Sequence, residues 1–422
     1  MGYEILAMKK HVVRKGYITQ GSNKKQVPVE ALEIGMFISE LDRPWLDTPF
    51  LMQGFVIETV EHINLVQEFC TFVYIDAVQQ VYVPPEERAV STQQRHKRYI
   101  HKVSVENEHA AASGVYKQAS SLTKSVLDEV RLGNAFDVDK AKQTVAECVE
   151  SILRNPDALM WLGKIRNVDS HVADHSLNVA IVAVAFGRYL QLEEEELKDI
   201  GLCGLLHDIG KMKIPPEILK KGNNLTQQED AELRKHPLHG RNILMSNRSL
   251  FSGATDVAHC HHEHLDGSGY PRGLKETGIS FYTRIITIVD LYDNFTTGHA
   301  GRPPKSSLAA MRHLYSLRGK HYDDQLVLQF IQCIGLYPPG SIVELRNGEI
   351  GIVISTNHKN RRLPKVLLQL DSNKQKCKSR IINLGNEKQQ GQDQEYLIKD
   401  VLINGSYDID INEHINKGLV FS

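Results

Sequence analysis

The feature that most constrains this chain is a series of histidines and aspartates set into apolar, helix-patterned stretches between His171 and Asp290. His171 and His175 lie four residues apart, a spacing that puts both on one face of a helix. His207 and Asp208 are adjacent in the apolar run "LKDIGLCGLLHD". His236 follows in "RKHP", His261 and His262 are consecutive, and Asp290 sits within "RIITIVDLYD". One histidine on an apolar helix is usually a satisfied core residue. A carboxylate in such a stretch is costly unless partnered. Repeated placements of this kind call for a fold that brings them together, and a helix bundle converges such side chains on a shared metal site. Mixed imidazole and carboxylate donors suit iron, manganese or zinc better than calcium or magnesium.

The rest of the patterning agrees with a bundle. Ala173 to Leu190 is apolar nearly all round, as a buried central helix would be. Glu193 to Glu196 open the next helix, where the dipole favours negative charge. Thr226 and Glu229 are spaced as a capping box for "LTQQEDAELRKHP", and a further helix carries "ATDVAHCHHEH". Before the bundle, "VPVEALEIGMFISEL" reads as two strands about a turn at Gly35, "HINLVQEFC" as a short helix, and "TFVYIDAVQQVYV" as strand. Trp45, Phe50 and Phe55 read as core or as a contact surface. After it, "GSIVELRNGEIGIVIST" has period two, with a hairpin signal at Asn347-Gly348. The expected chain is mainly α: a polar leader (1–25), a small α/β module (26–84), a linker and connecting helices (85–150), an all-α bundle (151–336) and a small β-rich domain (337–422).

Composition removes several alternatives. The formal net charge is −1, so no global field draws the chain to DNA, RNA or an acidic membrane. The six cysteines are scattered without a C-x-x-C pair, which fits reduced thiols. There is no apolar signal region and no run of about 18 apolar residues, so a cytoplasmic protein without a membrane span is expected.

Five motifs occur in order: "HSLNVA" with His175, "LLHDIGK" at 205–211, "KHP" with His236, "HHEHLDGSGYPRGL" at 261–274, and "RIITIVDLYD" at 284–293. Together they resemble the HD-GYP subgroup of the HD phosphohydrolase superfamily, over roughly 160–335. "LEIGMFISELDRPWLDTPFLMQGF" resembles the small domain that often precedes it. The resemblance implies an all-α HD-type bundle with two or three divalent ions, usually iron or manganese. It implies hydrolysis of the bacterial signalling dinucleotide cyclic di-GMP to pGpG, and often on to GMP, by a water activated between two metals. By motif, the expected ligands are His175, His207, Asp208, His236, His261, His262 and Asp290, with Asp208 bridging. Three-metal members carry a glutamate where this chain has His171, so His171 is a candidate extra ligand and a two-metal site is favoured.

Other roles follow by the same resemblance. Lys211, one turn after His207, is the expected phosphate clamp, with a proton-donor role open to it. In "DGSGYP" the glycines let backbone approach a ligand at Gly269, and Pro271 restricts Tyr270, which would meet a guanine or order the loop. Arg302 and Lys305 keep the spacing of a basic pair that grips the dinucleotide, without the tyrosine that usually accompanies it. Two other readings stand beside the enzyme. One is a non-catalytic module that binds cyclic di-GMP or a protein such as a GGDEF diguanylate cyclase. The other is a hydrolase of a different cyclic dinucleotide or nucleotide. A homodimer is compatible with all three.

Overall fold

The computed structural model describes residues 24–43, 55–57, 60–76, 99–164, 171–222, 224–247, 249–298, 303–357, 362–385, 396–403 and 405–409. The chain divides into two compact units, 1–94 and 95–422.

In the first unit, strands β1 (Lys24–Pro28), β2 (Phe37–Leu41), β3 (Phe55–Val56) and β4 (Phe72–Asp76) form one antiparallel sheet in the order β1-β4-β2-β3. Helix α1 (Val60–Phe69) precedes β4. Val27, Ile38, Ile57, Val66, Val73 and Ile75 make its core. The turn at Gly35 has φ +99°, which glycine adopts without penalty. Trp45 and Phe50 lie outside the described residues, as does the side chain of Phe55.

The second unit begins with α2 (Val105–Arg131), α3 (Val138–Arg154) and α4 (Pro156–Leu162). These connecting helices pack into the bundle. Tyr116, Val126, Val145, Ile152 and Trp161 share one buried cluster with Leu177, Ile181, Val184 and Leu205 of the helices that follow. A buried Glu108 carboxylate clasps α3 by accepting from Arg154 Nε and Nη2 (both 2.8 Å) and Ser151 Oγ (2.8 Å).

Helix α5 (His171–Tyr189) is buried on every side from Ala173 to Arg188, as its all-round apolar pattern requires. It crosses α6 (Glu194–Leu206) so tightly that a Cβ on Gly204 would lie 2.8 Å from Ala180 Cα. A 3-10 turn (Ile209–Lys213) and α7 (Pro216–Lys220), with Pro216 in its first turn, follow. Helix α8 (Gln227–Leu233) has the expected capping box, with Thr226 Oγ1 accepting from the Glu229 amide and Glu229 accepting from the Thr226 amide. Helices α9 (His236–Met245), α10 (Ser252–Cys260), α11 (Phe281–Thr297), α12 (Ser307–Leu317) and α13 (Asp324–Ile334) complete the bundle.

Three helices stop earlier than their patterns suggest. The run through "LLHD" ends at Leu206, the run toward "RKHP" at Leu233, and the run through "CHHEH" at Cys260. Each stop falls where neighbouring backbone presses in. A Cβ on Gly210 would meet His236 O at 2.0 Å and Gly240 N at 2.4 Å. A Cβ on Gly269 would meet the backbone of 262–264 at about 2.5 Å.

Strands β5 (Ile342–Leu345), β6 (Ile350–Ser355), β7 (Lys365–Leu370), β8 (Lys376–Asn383) and β9 (Ile398–Leu402) form an antiparallel sheet in the order β8-β7-β6-β5-β9. Gly348 turns the β5–β6 hairpin at φ +88°. Alternation sends Ile342, Ile352 and Ile354 into the helical core and Val343, Leu345 and Val353 into a second core. Asp157 of α4 fastens β6 by accepting from the Thr356 amide (2.8 Å) and hydroxyl (2.9 Å). The chain is thus mainly α, with a small sheet toward each end. Among the described residues no helix is long and apolar enough to cross a membrane.

Gly210→Ala is expected to destabilise the protein by about 1–3 kcal/mol, because its new methyl has only backbone to displace. Thermal melting checks this, and an unchanged melting temperature contradicts it.

Candidate metal centre

Asp208 sits at the middle of the centre, 1% exposed, just past the end of α6 with φ −102° and ψ 10°. Its two oxygens face different ways. Oδ1 lies 3.3 Å from His236 Nε2 and 3.5 Å from His261 Nε2. Oδ2 lies 3.4 Å from His207 Nε2, 3.6 Å from His175 Nε2 and 2.5 Å from Lys211 Nζ. Asp290 joins the second group, with Oδ1 at 3.0 Å from His175 Nε2 and 3.6 Å from His207 Nε2. His262 joins the first, its Nε2 at 3.2 Å from His236 Nε2. All seven expected ligands therefore meet, as two donor groups sharing Asp208.

The imidazoles are held in one tautomer by their outer neighbours. Nδ1 of His175 lies 2.7 Å from Asp293 Oδ2, that of His207 2.7 Å from Gly204 O, and that of His236 2.7 Å from Leu233 O. Nδ1 of His261 lies 3.1 Å from Val257 O and 3.2 Å from Ala258 O. Carbonyl and carboxylate oxygens only accept, so each Nδ1 carries the proton and each Nε2 turns a lone pair inward. His175 Nε2, His207 Nε2 and Asp208 Oδ1 are buried with no hydrogen-bond partner of good geometry. Such orphans are rare unless a ligand serves them. Inward lone pairs beside two carboxylates are a donor set that fits a pair of divalent cations.

The charges are coherent with this. Burial pushes the Asp208 carboxyl up, but Lys211 and then His207 hold it well below the usual carboxylate range. Asp290 is likewise pushed up by burial, but the facing imidazoles of His175 and His207 hold it well below the usual carboxylate range. Burial depresses His207, yet Asp208 draws it up to about 10, so without an ion His207 carries a second proton on Nε2, which a metal would displace. His236 goes the other way: burial outweighs the pull of Asp208 and takes it to about 3.

The signature loop closes one side. The Tyr270 amide donates to His262 O (3.1 Å), and its ring stacks on the His262 ring with centroids 4.7 Å apart. Arg234 covers the other face of the site's tyrosine, its guanidinium carbon 4.7 Å from the ring centroid. The 2% exposed Glu263 ties the loop down by accepting from the Arg272 amide (2.6 Å) and the Leu274 amide (2.8 Å). A cavity of about 930 Å³ opens over the centre, lined by Lys211, Leu225, Leu233, Tyr270, Phe295 and Lys305 among others. Arg302 and the His171 side chain lie outside the described residues. His171 itself is the first residue of α5, one turn before His175.

Some participants were not picked out from the sequence. Asp293 accepts from His175 and also from the Asn178 amide. Its signal was its place three residues after Asp290 on the same helix, and that of Asn178 was its place three residues after His175. Asn294 Nδ2 donates to Asp290 Oδ1 (2.7 Å), one helical turn on. Arg234 and Glu263 gave no signal beyond lying beside motif residues.

Comparison with known proteins agrees with this geometry. A model described as "HD domain" matches residues 164–326, and one described as a domain of unknown function (DUF3391) matches 24–141. A cyclic di-GMP phosphodiesterase of Pseudomonas aeruginosa is 33% identical over 350 residues, spanning 81% of this chain and 84% of that protein. A cyclic di-GMP phosphodiesterase of Thermotoga maritima is 31% identical over 193 residues, 46% of this chain and 52% of the relative. A 3'3'-cGAMP-specific phosphodiesterase of Vibrio cholerae is 34% identical over 154 residues, 36% of this chain and 30% of the relative. The Pseudomonas match runs over most of both sequences, and the five ordered motifs surround a single cluster, so this chain belongs to the HD-GYP family of HD-domain phosphodiesterases.

Proposed function

We propose that this protein hydrolyses cyclic di-GMP to the linear dinucleotide pGpG, with GMP as the product of any second cleavage, at two divalent ions held by His175, His207, Asp208, His236, His261, His262 and Asp290. The observation that carries the reading is Asp208, which aims one oxygen at each of two histidine groups. Iron or manganese suits the imidazole–carboxylate set. When bound, the ions would supply an activated water at neutral pH and neutralise phosphate oxygens.

The chain supplies the rest. The Lys211 ammonium, half-buried beside Asp208, puts a fixed positive charge where a scissile phosphate would lie. Its charge is secure: burial lowers its affinity for the proton, but Asp208 and Asp290 raise it beyond the ordinary lysine value. Lys305 in the cavity wall offers a second cation to the dinucleotide backbone, with Nζ 5.1 Å over the Phe295 ring. Tyr270, buttressed by His262 and Arg234, presents a rigid aromatic edge to a guanine. The cavity lies near the top of the roughly 300–1,000 Å³ range of small-molecule sites, which fits a dinucleotide. The relative specific for 3'3'-cGAMP makes that nucleotide the natural competitor in any assay.

Purified protein loaded anaerobically with Fe²⁺ or Mn²⁺ is expected to convert cyclic di-GMP to pGpG or GMP, followed by chromatography. Tight binding without turnover would instead identify a receptor, and turnover of 3'3'-cGAMP alone would move the substrate. Asp208→Ala should reduce turnover to background and lower bound metal; a variant as active as the parent refutes the mechanism. Asp293→Asn keeps the shape of an outer partner but weakens its grip on His175. Metal affinity, read by competition with a chelator, should fall roughly 10–100-fold. An unchanged affinity would make Asp293 a packing residue only.

A further inference from the structure

We infer that His264, Asp266 and His321 form a second cation site, separate from the seven-ligand centre and suited to a zinc-class divalent ion. Each offers a donor atom within 4.8 Å of the others, and none belongs to the seven. His264 and Asp266 stand at the root of the signature loop. His321 comes from the turn between α12 and α13, and the Leu265 amide donates to its carbonyl (3.0 Å), which fixes the two segments side by side.

One donor pair already stands at coordination spacing. His321 Nε2 lies 3.5 Å from Asp266 Oδ2. Two donors about 2.1 Å from one tetrahedral ion stand roughly 3.4 Å apart. Ser268 Oγ donates to Asp266 Oδ1 (2.6 Å), so its oxygen accepts from His264 Nδ1 (3.0 Å). That relay places the His264 proton on Nδ1 and leaves Nε2 with a free lone pair, as outer partners do for metal-bound histidines. The His264 and His321 rings lie face to face, with centroids 4.4 Å apart and planes at 4°. Parallel rings aim their lone pairs alike, so holding an ion requires His321 to turn about χ2, a broad torsion in histidine, out of the stack and toward Asp266, while the Ser268 bond keeps His264 in place.

Two imidazoles and one carboxylate favour zinc and its neighbours over magnesium or calcium. Asp266 is exposed and both rings are half-buried, so an ion reaches the site from solvent. Water would complete its coordination. An ion here cross-links the loop carrying Gly269, Tyr270 and Pro271 to the 318–322 turn. The inference does not depend on which nucleotide the protein cleaves.

The test is zinc content. Full-length protein, His321→Gln and Asp266→Asn are each equilibrated with Zn²⁺ and counted by elemental analysis, with folding checked by circular dichroism. Both variants leave the seven-residue set intact. Each is expected to hold one ion fewer than the parent, with zinc affinity at this site weakened at least about 100-fold, beyond what outer-partner changes cause. Should His321→Gln fail to fold, Asp266→Asn decides alone. Equal zinc content in the parent and a folded variant overturns the proposal and leaves an ion pair beneath a ring stack.

Discussion

Asp208 is an ionised carboxylate almost wholly out of water, and the surrounding structure is organised by the need to compensate it. A buried charge is tolerated only when paired and hydrogen-bonded. In the protein alone, the Lys211 ammonium and a protonated His207 carry that duty. Several features far from the chemistry serve the same end. Gly204 lets α6 press onto α5, which brings His207 to His175 with ring centroids 5.2 Å apart. Gly210 lets the turn after Asp208 touch α9, which brings His236 to the opposite oxygen. Neither glycine has a conformational reason to be glycine, since neither has positive φ; both are there because a methyl would not fit.

Five of the seven converging residues sit at helix ends rather than within helices. Consecutive residues inside a helix point about 100° apart and cannot both address one centre. Ending α6 at Leu206 and α10 at Cys260 removes that restriction for His207-Asp208 and His261-His262. His175 and Asp290, by contrast, are single residues on long helices, where direction is fixed by packing. The outer acceptors then differ accordingly. Backbone carbonyls at helix ends fix His207, His236 and His261, whereas mid-helix His175 needs a side chain, Asp293.

This explains what was legible in the sequence. The seven converging residues stood out because histidine and aspartate inside apolar runs contradict local hydrophobicity, and contradictions of that kind mark sites. The central helix, the capping box at Thr226 and the hairpin at Gly348 were legible because their signals are local. The exact helix stops were not, because they are set by tertiary contact at Gly210 and Gly269. Nor was the place of α2 and α3 in the core. An amphipathic helix shows that it has a buried face but not what covers it.

The signature loop shows why local residue roles depend on distant partners. Its glycine at 269 exists to let the loop lie on the backbone of 262–264, so the loop's position is set by the same residues that bear His262. Glu263 holds it from below through two backbone amides, and this carboxylate, adjacent to His262, has no inward role at all. Tyr270 therefore reports on the metal centre through a direct stack. A ligand that moves Tyr270 must also work against His262 on one face and Arg234 on the other. Since Arg234 sits at the end of α8, one wall of the cavity is mechanically tied to the loop across it. The Tyr270 ring thus links the α8 wall of the cavity to His262 by direct contact.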